Sequence, residues 1–229
     1  KFFVDQRQRF IALLIWAFNP FLLYAVYVYG RYEIFAILFS FIALYFAKKQ
    51  RVFLSVIFFG IAISLRMPLV IILPFFVIYF AKNYWDYIKY TLIGVIPYLL
   101  VLQSFKLFSG HDLVASRVGL GFIDYFAKGI IGTGPKAISL FFLLYPLTIY
   151  YFYQEKLRMT FRKMVNYSTI GFLVFYMTCF FHQHYIAWIT PFLIIAGAYN
   201  RKIILPLIAA SIAFFVYVDI QSNTIPTSL

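Results

Sequence analysis

Ile34-Phe35-Ala36-Ile37-Leu38-Phe39-Ser40-Phe41-Ile42-Ala43-Leu44-Tyr45-Phe46-Ala47 is apolar almost throughout, and Lys48-Lys49-Gln50-Arg51 follows it at once. A strand of a membrane barrel alternates polar and apolar residues, and this stretch does not, so it reads as a helix. Runs of the same character recur near 9–29, 33–47, 52–67, 69–80, 90–108, 136–153, 165–181, 185–199 and 203–220. The expected fold is an all-α integral membrane protein with about nine transmembrane or partly spanning helices. Several runs fall short of the roughly 20 residues that cross a bilayer. The run 69–80, which carries Pro74, is therefore expected to lean on neighbouring helices rather than face lipid.

Composition supports the same class. The 229 residues are 64% hydrophobic, 23% aromatic and 12% charged, with a mean hydropathy of +0.89. A water-soluble domain needs far more polar surface, and a disordered chain far less apolar content. The net charge of +13 is dispersed over the gaps between runs instead of gathered on one face, which excludes a nucleic-acid binder. Cys179, the single cysteine, sits inside an apolar run, so no intramolecular disulfide or thiolate metal cluster can be assembled. No cofactor is read from the residues; a divalent cation stays open.

The charges give an orientation. Fourteen of the 20 Lys and Arg fall in alternate gaps: Lys1, Arg7, Arg9, Lys48, Lys49, Arg51, Lys82, Lys89, Lys156, Arg158, Arg162, Lys163, Arg201 and Lys202. The other six, Arg31, Arg66, Lys106, Arg117, Lys128 and Lys136, fall in the gaps between those. Basic residues concentrate on the cytoplasmic side of multi-pass proteins, which places residues 1–8 in the cytoplasm. The expected location is the plasma membrane of a microbe or the endoplasmic reticulum. The glycosylation sequon Asn166-Tyr167-Ser168 then lies inside, unmodified. No linker or internal repeat divides the chain, so 1–229 reads as one membrane domain with a long outer loop at 109–135. The middle of that loop is apolar enough to lie along the interface as a short helix, and it ends in a Gly132-Thr133-Gly134-Pro135 turn.

Three polar groups mark the outer face, where such residues are costly unless paired or lining a wet cavity. The first is Asn19-Pro20 followed by Gly30-Arg31-Tyr32-Glu33, which reads either as a proline-kinked helix ending in a solvated ion pair or as a presented cation and carboxylate. In the second, Arg66-Met67-Pro68, an arginine between two short helices either snorkels to headgroups or binds a phosphate bidentately. His182-Gln183-His184-Tyr185, with Trp188 and Pro191 after it, is the third. Its histidines, two residues apart on a helix, point away from each other and make a poor zinc pair. They suit hydrogen bonding to a sugar hydroxyl or phosphate oxygen, whereas Tyr185 and Trp188 alone would fit an interfacial aromatic belt.

Taken in order, Asn19-Pro20, Gly30-Arg31-Tyr32-Glu33, Arg66-Met67-Pro68 with Pro74, and His182-Gln183-His184-Tyr185-Ile186-Ala187-Trp188 resemble the polytopic GT-C glycosyltransferases. The resemblance is greatest to the mannosyltransferases that use a polyprenyl- or dolichyl-phosphate sugar, including the first mannosyltransferase of GPI-anchor assembly and its microbial relatives. It implies transfer of a sugar, mannose above others, from a lipid-phosphate donor to a glycan, lipid or protein acceptor at the outer or lumenal face. By that analogy Arg66 and His182 or His184 bind the donor phosphate, and Gln183 and Tyr185 shape the sugar pocket. Glu33 and Arg31 would line it, with Glu33 the substitute for a base. Arg117, in the long outer loop, is a third outward cation where the phosphate is expected. The family's catalytic Asp lies in the first outer loop and nothing here matches it: Asp112 and Asp124 come too late. The chain opens Lys1-Phe2-Phe3 with neither an initiator Met nor a signal pattern, so that loop is expected upstream of Lys1. Two alternatives remain: a noncatalytic relative such as the GPI-transamidase subunit, and a transporter or flippase of lipid-linked sugars.

Overall fold

The computed structural model of the chain describes residues 5–23, 33–109, 130–131, 138–179, 183–200, 202 and 209. Every expected run that falls within them is helical over most of its described length. Helix α1 (Gln6–Ala17) starts where Asp5 Oδ1 accepts the backbone N–H of Arg7 at 3.0 Å. It stops before Asn19-Pro20, because proline has no N–H to continue the ladder. Asn19 instead caps a new short helix, α2 (Pro20–Leu23), accepting the N–H of Leu22 at 3.1 Å. The run expected at 9–29 is thus broken at Asn19-Pro20 into two helices as far as Leu23, and its remainder lies outside the described residues.

Helices α3 (Glu33–Lys48) and α4 (Val52–Leu65) form an antiparallel hairpin. Its turn is tight because Gln50 takes a left-handed conformation, φ 57°, while Arg51 N–H bonds back to Phe46 O and Gln50 N–H to Ala47 O, both at 3.0 Å. Ser55 Oγ donates across the hairpin to Ala43 O at 2.9 Å. Next comes a 3-10 segment, Met67–Ile72, leading into α5 (Leu73–Phe80), with a proline near the start of each. This is the run expected to lean on neighbours, and most of its residues are buried.

Helix α6 (Tyr84–Ser109) begins six residues earlier than the apolar run at 90, because Asn83 and Asp86 cap its start reciprocally. Asn83 Oδ1 accepts Asp86 N–H at 3.0 Å, and Asp86 Oδ2 accepts the N–H of Asn83 at 3.3 Å. Helix α6 crosses α4 so closely that a Cβ added to Gly60 would stand 2.5 Å from Gly94 O. Strands β1 (Ile130–Ile131) and β2 (Ile138–Ser139) then pair antiparallel, so helix α7 (Leu140–Gln154) starts later than the expected 136. The Gly132-Thr133-Gly134-Pro135 turn between the strands, and the interfacial helix expected within 109–135, lie outside the described residues. A 3-10 turn (Lys156–Arg158) leads to α8 (Phe161–Thr178), capped by Thr160, whose Oγ1 accepts Lys163 N–H at 3.2 Å. Last come a 3-10 segment, Gln183–Ile189, and α9 (Thr190–Tyr199). The run 203–220 lies outside the described residues.

Aromatic rings make up much of the core. Phe59 stacks on Phe76 with ring centroids 4.4 Å apart, Phe75 meets Phe152 at 5.3 Å, and Phe172 meets Phe192 at 5.5 Å. Tyr145 donates its hydroxyl to Ile71 O, tying α7 to a 3-10 segment.

The basic gaps converge. Gln50 in the α3–α4 turn donates to Tyr79 at the end of α5, and Lys156 Nζ donates to Tyr87 near the start of α6 at 2.5 Å. Lys48 sits over the Tyr199 ring, 5.8 Å from its centroid. The gaps 48–51, 80–84, 155–160 and 199–202 therefore share one end of the bundle. Glu33, Arg66 and the 3-10 segment Gln183–Ile189 occupy the other.

Candidate functional site

At that second end, two donors converge on one oxygen. Arg66 Nε donates to Glu33 Oε2 at 2.5 Å, and Trp188 Nε1 donates to the same Oε2 at 2.6 Å. Glu33 is fully buried, the Trp188 residue is 2% exposed, and the Arg66 side chain is 20% exposed. The three residues come from the three polar groups singled out in the sequence.

Local structure explains the meeting. Helices α3 and α4 are a hairpin folded about Gln50, so Glu33 and Arg66, nearly equidistant from it, must lie side by side. Glu33 opens α3, where the helix dipole favours a negative side chain. Arg66 follows α4 in extended backbone, φ −144°, which aims its side chain off the helix end. Trp188 arrives from a 3-10 segment. In that geometry residues three apart eclipse each other, so Tyr185 lies flat on the Trp188 ring, with centroids 4.2 Å apart and planes 17° apart. Tyr176 of α8 donates its hydroxyl to Tyr185 O at 2.7 Å and lies within electrostatic reach of Glu33.

Helix α2 adds a further contact. Leu22, Ile37 and Ala187, each within a turn of Asn19, Glu33 and Trp188 respectively, form one buried cluster. Asn19 is itself 2% exposed, and its Nδ2 has no hydrogen-bond partner among the described residues. Thr190 Oγ1, two residues beyond Trp188, is likewise buried without a described partner. Asn19, Glu33 and Thr190 are therefore interior groups.

These placements correct two expectations. Glu33 is enclosed rather than solvated, and the cation described beside it comes from the end of α4. Trp188 is not an interfacial belt ring, because its indole is buried and committed to a carboxylate. Tyr185 is half-buried against Trp188. Arg31, Arg117 and His182 lie outside the described residues. The backbones of Gln183 and His184 lie in the 3-10 segment, but their side chains are outside the description. The sequence reading missed Trp188 and Tyr176 as members of the cluster. For the Glu33–Arg66 pair, the hairpin register was a usable signal.

A buried ion pair of this kind stabilises little, since desolvation opposes the attraction. Its effect is geometric: the guanidinium is fixed through Nε while the side chain still reaches the surface. Among the described residues no three His, Cys, Asp or Glu gather to hold a metal ion. The chain matches no protein-family model, no curated protein and no solved structure.

Proposed function

We propose that the chain is a multi-pass membrane glycosyltransferase that transfers a sugar, mannose above others, from a polyprenyl-phosphate donor to a glycan, lipid or protein acceptor at the outer or lumenal face. The observation that carries this reading is the convergence of Glu33, Arg66 and Trp188 at the end of the bundle remote from the basic gaps. Arg66 binds the lipid phosphate, and Glu33 and Trp188 fix the direction of its guanidinium. Departure of the phosphate builds negative charge, and a cation positioned in advance stabilises that charge without reorganising during the reaction. Tyr185, stacked on Trp188, forms a wall for the sugar; Arg31, Arg117, His182, Gln183 and His184 are the further donors proposed for phosphate and hydroxyls.

The membrane location is supported by α6. Residues Tyr84–Phe108 form the one described helix both long and apolar enough to cross a bilayer alone. Leu92, Leu99, Leu100 and Leu107 on it are exposed, and Phe108 is 91% exposed. A long apolar helix inside a soluble protein would turn such residues inward.

Enclosure suits Glu33 to positioning rather than to taking the acceptor proton, because a base must reach the hydroxyl it deprotonates. No exposed carboxylate lies at this end among the described residues, which favours as a second reading a noncatalytic relative that holds the donor lipid. One assay separates the two. Protein reconstituted with a labelled polyprenyl-phosphate sugar and candidate acceptors is expected to transfer sugar, and Arg66→Ala to lose at least a hundredfold of that transfer, in line with the loss of a key charge-stabilising donor of about 10²–10³. Retention of donor lipid without transfer supports the noncatalytic reading. Undiminished transfer by Arg66→Ala removes the phosphate role.

A further inference from the structure

The opposite end of the bundle carries a basic and apolar surface that the transferase reading does not use. Two elements distant in sequence meet there: the start of α6 and the 3-10 turn Lys156–Arg158, joined by Lys156, which donates to the Tyr87 hydroxyl and lies 4.7 Å from that ring's centroid. The carboxylates described on these two elements are already engaged. Asp86 accepts the backbone N–H groups of Lys82 and Asn83, and Glu155 is paired with Lys163 at 2.6 Å. Lys82, Lys89, Arg158 and Arg162 all stand exposed beside them. Large apolar side chains stand out at the same level: Trp85 is 73% exposed and Leu157 fully exposed. Cations alone would suit a soluble anion, and apolar side chains alone a second protein. Cations interleaved with an exposed indole and leucine fit the boundary of a leaflet, where headgroup phosphates lie beside acyl chains.

We propose that this end binds anionic phospholipid headgroups, with Lys82, Lys89, Arg158 and Arg162 meeting the phosphates while Trp85 and Leu157 enter the acyl boundary. The occupant is a lipid rather than free phosphate, because the exposed apolar groups gain nothing from a soluble ion. The surface is independent of the donor site, which lies at the other end of α6, α7 and α8.

The full chain is reconstituted into bilayers of equal phosphatidylcholine and phosphatidylglycerol, extracted, and its retained lipids counted by native mass spectrometry. Phosphatidylglycerol is expected to be enriched about tenfold over phosphatidylcholine, with each basic residue near an anionic surface adding to the attraction. The enrichment should fall severalfold in a Lys82→Gln, Lys89→Gln, Arg158→Gln, Arg162→Gln variant and persist undiminished in Lys106→Gln at the other end. Trp85→Gln with Leu157→Gln should weaken it while leaving its salt dependence intact. Equal retention of the two lipids, enrichment undiminished in the fourfold variant, complete displacement by inorganic phosphate, or failure of the chain to float with vesicles would each overturn the proposal.

Discussion

Glu33 shows how far a single side chain could be read from sequence. Its presence as a costly carboxylate among apolar residues was legible, but its contact with Arg66, thirty-three residues away, follows from the α3–α4 hairpin and from no local motif. The pair leads to a two-part prediction. Glu33→Ala leaves a guanidinium against a low-dielectric interior and is expected to cost about 3–5 kcal/mol, whereas Glu33→Leu with Arg66→Met, which removes both charges, should be near neutral in thermal unfolding. If the double variant is as unstable as the single one, the pair is structural and its positioning role loses support. Trp188→Phe removes the donor to Glu33 Oε2 together with part of a buried ring, so the loss is expected to be at least the roughly 1.5–3 kcal/mol usual for a hydrogen bond to a charged acceptor. Trp188 was set apart from the cluster because belt aromatics and buried indoles look alike in sequence. What separates them is the acceptor, which comes from another helix.

At the scale of elements, helix existence was legible and helix edges were not. Apolar runs mark the buried or lipid-facing length, but capping sets the ends. Asn83 and Asp86 extend α6 beyond its apolar stretch, and the β1–β2 pair delays α7. The 3-10 segments Met67–Ile72 and Gln183–Ile189 escaped notice, although Pro68 lies in the first and Pro191 just beyond the second, each removing an α-helical hydrogen bond. Close crossing is similarly invisible in one helix alone. Gly60 permits α4 to touch α6, and Gly60→Ala is expected to cost about 1–3 kcal/mol, because the new methyl meets the Gly94 carbonyl at 2.5 Å and Pro97 at 3.0 Å, neither of which can swing aside. Gly197→Ala meets only the end of the Ile15 side chain at 3.0 Å and should cost less. A thermal series on the two variants in the same detergent checks the ranking.

A surface pair between elements carries a pH signature. Glu155 follows α7, and the hydrogen bond from Lys163 holds its carboxyl below the ordinary value. A carboxyl depressed on folding contributes stability above its unfolded value and loses that contribution as pH falls through the folded one. Wild type and Glu155→Gln should therefore differ slightly in Tm at neutral pH and converge in acid. A gap that widens on acidification would show that another group governs the turn.

At the scale of the molecule, the alternating charge count and the structure rest on different observations, and the described residues bring four of the basic gaps to one end, while Arg31, Arg117, Lys128 and Lys136 lie outside the description. The count uses only which gaps hold Lys and Arg; the structure joins those gaps through Gln50 with Tyr79, Lys156 with Tyr87 and Lys48 with Tyr199. For those four gaps the convergence constrains the alternation, since merging or splitting a described helix between them would send a basic gap to the other end. It leaves the absolute direction to the rule that cations stay inside. That direction is open to measurement through two exposed positions at opposite ends, Leu157 and Lys106. In a Cys179→Ser background, Lys106→Cys is expected to react with a membrane-impermeant maleimide added to intact cells, and Leu157→Cys only after lysis. The reverse pattern would put the Arg66 end in the cytoplasm, as would a glycan on Asn166, one turn into α8 from the basic end. A donor displayed at the outer face would then never meet Arg66. Labelling of both positions from one side would break the alternation itself and, with it, the argument that gathers Glu33, Arg66 and Trp188 at an outer site.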